Sequence, residues 1–139
     1  MKITTMAVAV VMAVSGLALR ADIKVEMGKL PPAAKKQGVT FDTDIKPIFE
    51  KSCAKCHGAD VEKPKGKMRT DTREHVLKGG ENGPDVTPGD LMKSPMIAQV
   101  AQTCDEDDVM PPKGNKAKIA PLSKDEVGLI RAWIEQGAK

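Results

Sequence analysis

Apolar positions change their spacing along the chain, and each change marks a segment. Met6 to Leu19 is apolar almost throughout, interrupted by Ser15 and Gly16, and is followed by Arg20-Ala21-Asp22. From Asp22 to Thr40 no period is sustained, and Leu30-Pro31-Pro32, Lys35-Lys36 and Gly38 break the pattern. A helical spacing then begins. Ile45, Ile48, Phe49, Ser52, Cys53 and Cys56 fall on one face of a helix that starts near Thr43 or Asp44 and stops at Gly58. Pro47 is tolerated because first-turn amides have no partner within the helix. A lysine-rich loop, Lys63 to Lys67, precedes a short helix expected from Asp71 to Lys78, ended by Gly79-Gly80. Ser94-Pro95 reads as an N-cap with proline in the first turn, and Met96, Ile97 and Val100 form the inner face of a third helix. The last helix is the best signalled. Ser123 and Glu126 form a capping box, and Leu122 can pack on Val127 as a staple. Val127, Ile130, Trp133 and Ile134 then make its apolar stripe up to Gly137. Gly128 is out of place inside it, at about 1 kcal/mol relative to alanine, unless a close helix crossing requires it. No hairpin signal and no repeat competes, so the expected class is all-α.

The apolar leader changes the charge and the compartment. A basic start at Lys2, a run of about 14 apolar residues and a small residue at Ala21 read as a signal peptide over residues 1–21. The run is shorter than the ~20 residues of a spanning helix, and no lipidation cysteine follows it. The expectation is therefore an exported, periplasmic protein without a stable membrane span after cleavage. Residues 22–40 read as an N-terminal extension or linker, and 41–139 as one small domain. Of the formal net charge of +3, Lys2 and Arg20 account for two, which leaves the mature chain at +1. Basic and acidic residues nearly cancel, so a nucleic-acid partner has no support. The aromatics are Phe41, Phe49 and Trp133. So thin a core would gain from a buried apolar group that is not protein.

Cys53-Ala-Lys-Cys56-His57 supplies the chemistry for such a group. Two thiols three residues apart, followed at once by an imidazole, form the attachment motif of a c-type haem. Each sulfur adds to one vinyl group of the porphyrin, and the adjacent histidine is held where a neutral nitrogen can bind iron. A zinc site would want a second ligand pair, and only Cys104 and His75 remain, far apart in the chain. A thioredoxin-like redox pair would want a βαβ context that the pattern lacks. Candidates for the sixth iron ligand are Met68, Met92, Met96, Met110, His75 and Cys104. Met110 stands out because it follows the acidic run Asp105 to Asp108 and precedes Pro111-Pro112, which stiffens its loop. Met96 fits core packing better.

Phe41 to Phe49, the Cys53–His57 motif, Asp71-Thr72-Arg73, Lys78-Gly79-Gly80, Pro88-Gly89-Asp90, Met110-Pro111-Pro112 and Arg131 to Ala138 together resemble a class I cytochrome c. More narrowly, they resemble the cytochrome c-like domain of planctomycetes and verrucomicrobia, over about residues 39–138. The resemblance implies a cytochrome c fold of about four short helices around one covalently attached haem c, with first and last helices crossing. It implies Cys53 and Cys56 as thioether sites, His57 as proximal ligand and Met110 as distal ligand. Cys104 is extra to that pattern, either a small buried hydrophobe or a reactive thiol. The function expected is a single-electron carrier between redox partner proteins rather than an enzyme. A peroxidase-like enzyme using His75, or a sensor with a displaceable sixth ligand, is the alternative.

Overall fold

A computed structural model describes residues 22–139, so the expected signal peptide lies outside the described residues. The described chain is helical. Its α-helices are α1 (Lys46–Ser52), α2 (Ala54–His57), α3 (Arg73–Lys78), α4 (Pro95–Val100) and α5 (Lys124–Glu135). Among the described residues there is no strand, only an isolated bridge between Gly80 and Gly83. The all-α class expected from the pattern is the observed one, and it is consistent with the cytochrome c-like fold that the resemblance implies.

The first helical stretch is divided where one continuous helix was expected. It opens with a widened π turn, Phe41–Ile45, in which Lys46 N–H reaches back to the Phe41 carbonyl. Pro47 has no N–H to give to Thr43, so the regular ladder cannot form there and the turn widens. The chain departs from helical geometry a second time at Cys53 (φ −120°, ψ −31°). The Cys53 carbonyl then accepts from both Cys56 N–H (3.0 Å) and His57 N–H (2.9 Å), tightening α2.

Elsewhere the caps explain the boundaries. Thr72 accepts from His75 N–H and starts α3. In α5, Ser123 Oγ accepts from Glu126 N–H (3.2 Å) while Glu126 Oε2 accepts from Ser123 N–H (2.8 Å), the reciprocal capping box. Ser94 differs from expectation. Its hydroxyl does not cap α4; it is fully buried, accepting from Thr87 N–H (2.9 Å) and donating to the Asp90 carbonyl (2.8 Å). A buried hydroxyl needs partners, and the turn before α4 supplies them.

The core forms where α5 meets the Phe41–Ile45 turn. Trp133 lies 5.8 Å from Phe41, and Phe41 is edge-on to Phe49 at 6.0 Å. Trp133 Nε1–H donates to the Lys139 carbonyl (2.8 Å), so the indole is buried without an orphan donor. Val127, Ile130 and Ile134 complete the buried face of α5, as its spacing predicts.

Residues 22–40 run as a strap over the same helix. Val25, Leu30 and Val39 are buried in the common core. Ala34 N–H donates to the Gly128 carbonyl (2.9 Å), Arg131 to the Pro31 carbonyl (2.9 Å) and Val39 N–H to Gln136 Oε1 (3.1 Å). Gly128 is explained here. A β-carbon at that position would sit 2.6 Å from the Pro32 carbonyl oxygen. Glycine is required by a backbone strap rather than by the helix crossing that the sequence suggested.

Candidate functional site

A cleft of about 320 Å³ opens between α2, α4 and the loops that follow them. Phe49, Met68, Met96, Val100, Pro111, Ile119 and Leu122 give it apolar walls. Cys53, Cys56, His57 and Met110 all line it. The four residues singled out in the sequence are therefore brought together, although Met110 is far from the motif in the chain.

His57 is held at three levels. Its Nδ1 lies 3.1 Å from the Met68 carbonyl. A carbonyl only accepts, so Nδ1 carries the proton and Nε2 keeps a free lone pair for a metal. Thr70 N–H donates to the His57 carbonyl (2.9 Å). Arg69 then fastens the descending chain by donating to the carbonyls of Gly58 (2.6 Å), Ala59 (3.0 Å) and Val61 (2.9 Å). Neither Arg69 nor the Met68 carbonyl was visible from spacing, because their targets are backbone atoms. The one available hint was that a helix ending at Gly58 leaves orphan carbonyls that some donor must meet.

Burial pushes the Cys53 thiol up to about 12, with charge on Cys56 adding to the effect. The thiol is therefore neutral in this setting. A thioether carries no charge and loses nothing by such burial. A thioether at Cys53 is thus compatible with its buried setting. Among the described residues, no group of three or more His, Cys, Asp and Glu is arranged to hold a metal ion.

The opposite ends of the loops are equally well fixed. Glu81 N–H donates to the Gly66 carbonyl (2.8 Å), joining two loops on the cleft rim. Gly80 permits that approach, since a β-carbon there would collide with the Gly66 carbonyl. After Met110, Asn115 organises the chain toward Ile119 and Leu122. Its Nδ2 donates to the Ile119 carbonyl (2.8 Å) and its Oδ1 accepts from Ile119 N–H (2.8 Å).

The competing ligand candidates separate by position. His75 does not line the cleft; its Nδ1 pairs with Asp71 (2.8 Å), and that carboxyl lies below its ordinary range. Cys104 lines a different cleft, of about 390 Å³, beside Asp22, Lys24 and Glu26. Burial first, then the charge of Asp108, pushes its thiol up. Met92 is exposed, while Met68 and Met96 are buried and share the cleft with Met110.

An all-α fold whose apolar cleft gathers a Cys-x-x-Cys-His segment is consistent with a haem-binding cytochrome. Residues 53–114 match the family model described as planctomycete cytochrome C, which is consistent with a cytochrome c domain of that kind over this stretch. No curated protein and no solved structure matches the chain. Among the described residues, no helix is long and apolar enough to cross a membrane.

Proposed function

We propose that this protein is an exported, periplasmic, single-haem c-type cytochrome that passes single electrons between redox partner proteins. Cys53 and Cys56 would hold the ring through thioether bonds, and His57 and Met110 would hold the iron. The observation that carries this reading is the convergence of those four side chains in one apolar cleft, with His57 already oriented by the Met68 carbonyl. When bound, the haem supplies a one-electron couple whose potential methionine ligation raises.

The protein's own contribution is positional. His57 presents Nε2 in a fixed tautomer. Met110 offers a neutral, polarizable thioether from a proline-stiffened loop. Phe49, Val100, Ile119 and Leu122 give the cleft apolar walls that would pack against a bound ring. No group in this scheme acts as acid, base or nucleophile. A peroxidase-like reading needs a distal imidazole, and His75 stands outside the cleft in its pair with Asp71. Exposed Lys55, Lys63, Lys65 and Lys67 flank the attachment segment and its following loop. They favour an acidic redox partner, whose approach would slow as salt rises. Lys51, just before the attachment segment, is instead engaged with Glu126 (2.7 Å).

Expression with a c-haem maturation system, followed by a haem stain on a denaturing gel and oxidised and reduced absorption spectra, tests the reading. Covalent haem, a narrow α-band on reduction and a weak sulfur-to-iron band when oxidised are expected. His57→Ala should abolish the low-spin spectrum. Met110→Ala should keep the haem but lose the sulfur band. Retention of that band in Met110→Ala would transfer the role to Met68 or Met96.

A further inference from the structure

The end of α4 carries a residue whose type its backbone does not favour. Gln102 N–H donates to the Gln99 carbonyl (3.1 Å) and Thr103 N–H to the Ala98 carbonyl (2.9 Å). These paired bonds are a Schellman end, which needs a left-handed residue and favours glycine there. The same pair closes α5, from Gly137 N–H to Ile134 (3.0 Å) and from Ala138 N–H to Trp133 (2.8 Å). There the left-handed residue is indeed glycine, at φ +96°. At the end of α4 it is Gln102, at φ +58°. A β-carbon is disfavoured in that conformation, and at this position the side chain makes bonds that glycine could not.

Its use is visible. Gln102 Nε2 donates to the carbonyls of Met110 (3.0 Å) and Pro111 (3.2 Å). Met110 N–H donates in turn to the Gln99 carbonyl (3.0 Å). The peptide groups on both sides of the Met110 α-carbon are therefore tied to the last turn of α4.

We propose that Gln102 is a positioning residue that clamps Met110 in the cleft and thereby sets how readily its thioether is displaced from iron. This rests on the reading of Met110 as the sixth ligand. Without the amide, the Met110–Pro111 backbone keeps only the bond to Gln99 and samples positions that withdraw the sulfur. Ligation then has to order a looser loop, and a competing ligand gains by the difference.

Gln102→Gly separates this role from a purely structural one. Glycine suits the left-handed end of α4, so the thermal midpoint of the holoprotein should be unchanged or raised. Imidazole titrated into the oxidised holoprotein should nevertheless bind roughly tenfold more tightly than in wild type, the scale of one or two lost hydrogen bonds. The sulfur-to-iron band should weaken. Met110→Ala is measured alongside. If it loses the band while Gln102→Gly keeps wild-type imidazole affinity, the clamp is wrong and the ligand reading stands. If Met110→Ala retains the band, the ligand reading fails and the clamp falls with it.

Discussion

Gly128→Ala sets helix propensity against packing, and the two predict opposite signs. In an exposed helix interior the change stabilises by about 1 kcal/mol. Here the new methyl would lie 2.6 Å from the Pro32 carbonyl oxygen, against roughly 3.3–3.6 Å for a close carbon–oxygen contact. Both atoms belong to backbones that are hydrogen-bonded to each other's segments, so neither yields freely. Overpacking of this kind costs about 1–3 kcal/mol. Lifting the strap also weakens the bonds from Ala34 to Gly128 and from Arg131 to Pro31, each contributing about 1 kcal/mol. The sum outweighs the propensity gain, and the net loss should be about 1–3 kcal/mol. At roughly 4 °C per kcal/mol for a domain of this size, the thermal midpoint should fall by roughly 4–12 °C. Circular dichroism of the holoprotein measures the midpoint, and amide exchange at Ala34 should lose protection. The visible spectrum should not change, because Gly128 does not line the cleft. A raised midpoint would refute the strap as the reason for glycine.

Glu126 carries a pH signature. Lys51 first, then Ser123, hold its carboxyl below the ordinary range, so its contribution is present above the unfolded pKa and is lost as pH falls through the folded one. Wild type should exceed Glu126→Gln by about 0.5 kcal/mol at neutral pH, the size of an exposed ion pair. The gap in urea unfolding should close below about pH 4; a gap that persists in acid would assign the effect to the cap alone. Cys104→Ser should leave the oxidised absorption spectrum unchanged, since Cys104 lines a separate cleft. Altered ligand bands would instead return the thiol to the iron.

What could be read in the sequence was local. The capping box of Ser123 and Glu126 and the stripe from Val127 to Ile134 need only neighbouring residues, and both are present in the fold. The division of the first helix at Cys53 had no such signal, because Ile45 through Cys56 keep one face whether or not the ladder is continuous. The strap escaped for a related reason. Its apolar anchors, Val25, Leu30 and Val39, are spaced to reach α5, not to repeat within their own segment. Gly128 stands out within the apolar stripe, but its partner is a carbonyl, and carbonyls are the same at every position.

The same division runs through the site. Covalent attachment demands both thiols and the imidazole within one short segment, so that half of the constellation is written contiguously. The other half depends on how a distant loop is carried to the cleft, and three methionines reach it. Met68 and Met96 are buried members of the core, so withdrawing either sulfur toward iron would leave a hole behind it. Met110 lies outside that core, on a backbone pinned at Gln99 and Gln102. On the proposed ligation its thioether would reach iron without leaving that core. The proline pair beside Met110 pointed to that loop in the sequence. The glutamine that ties it down could be found only in the fold, where its left-handed backbone and its two carbonyl partners occur together.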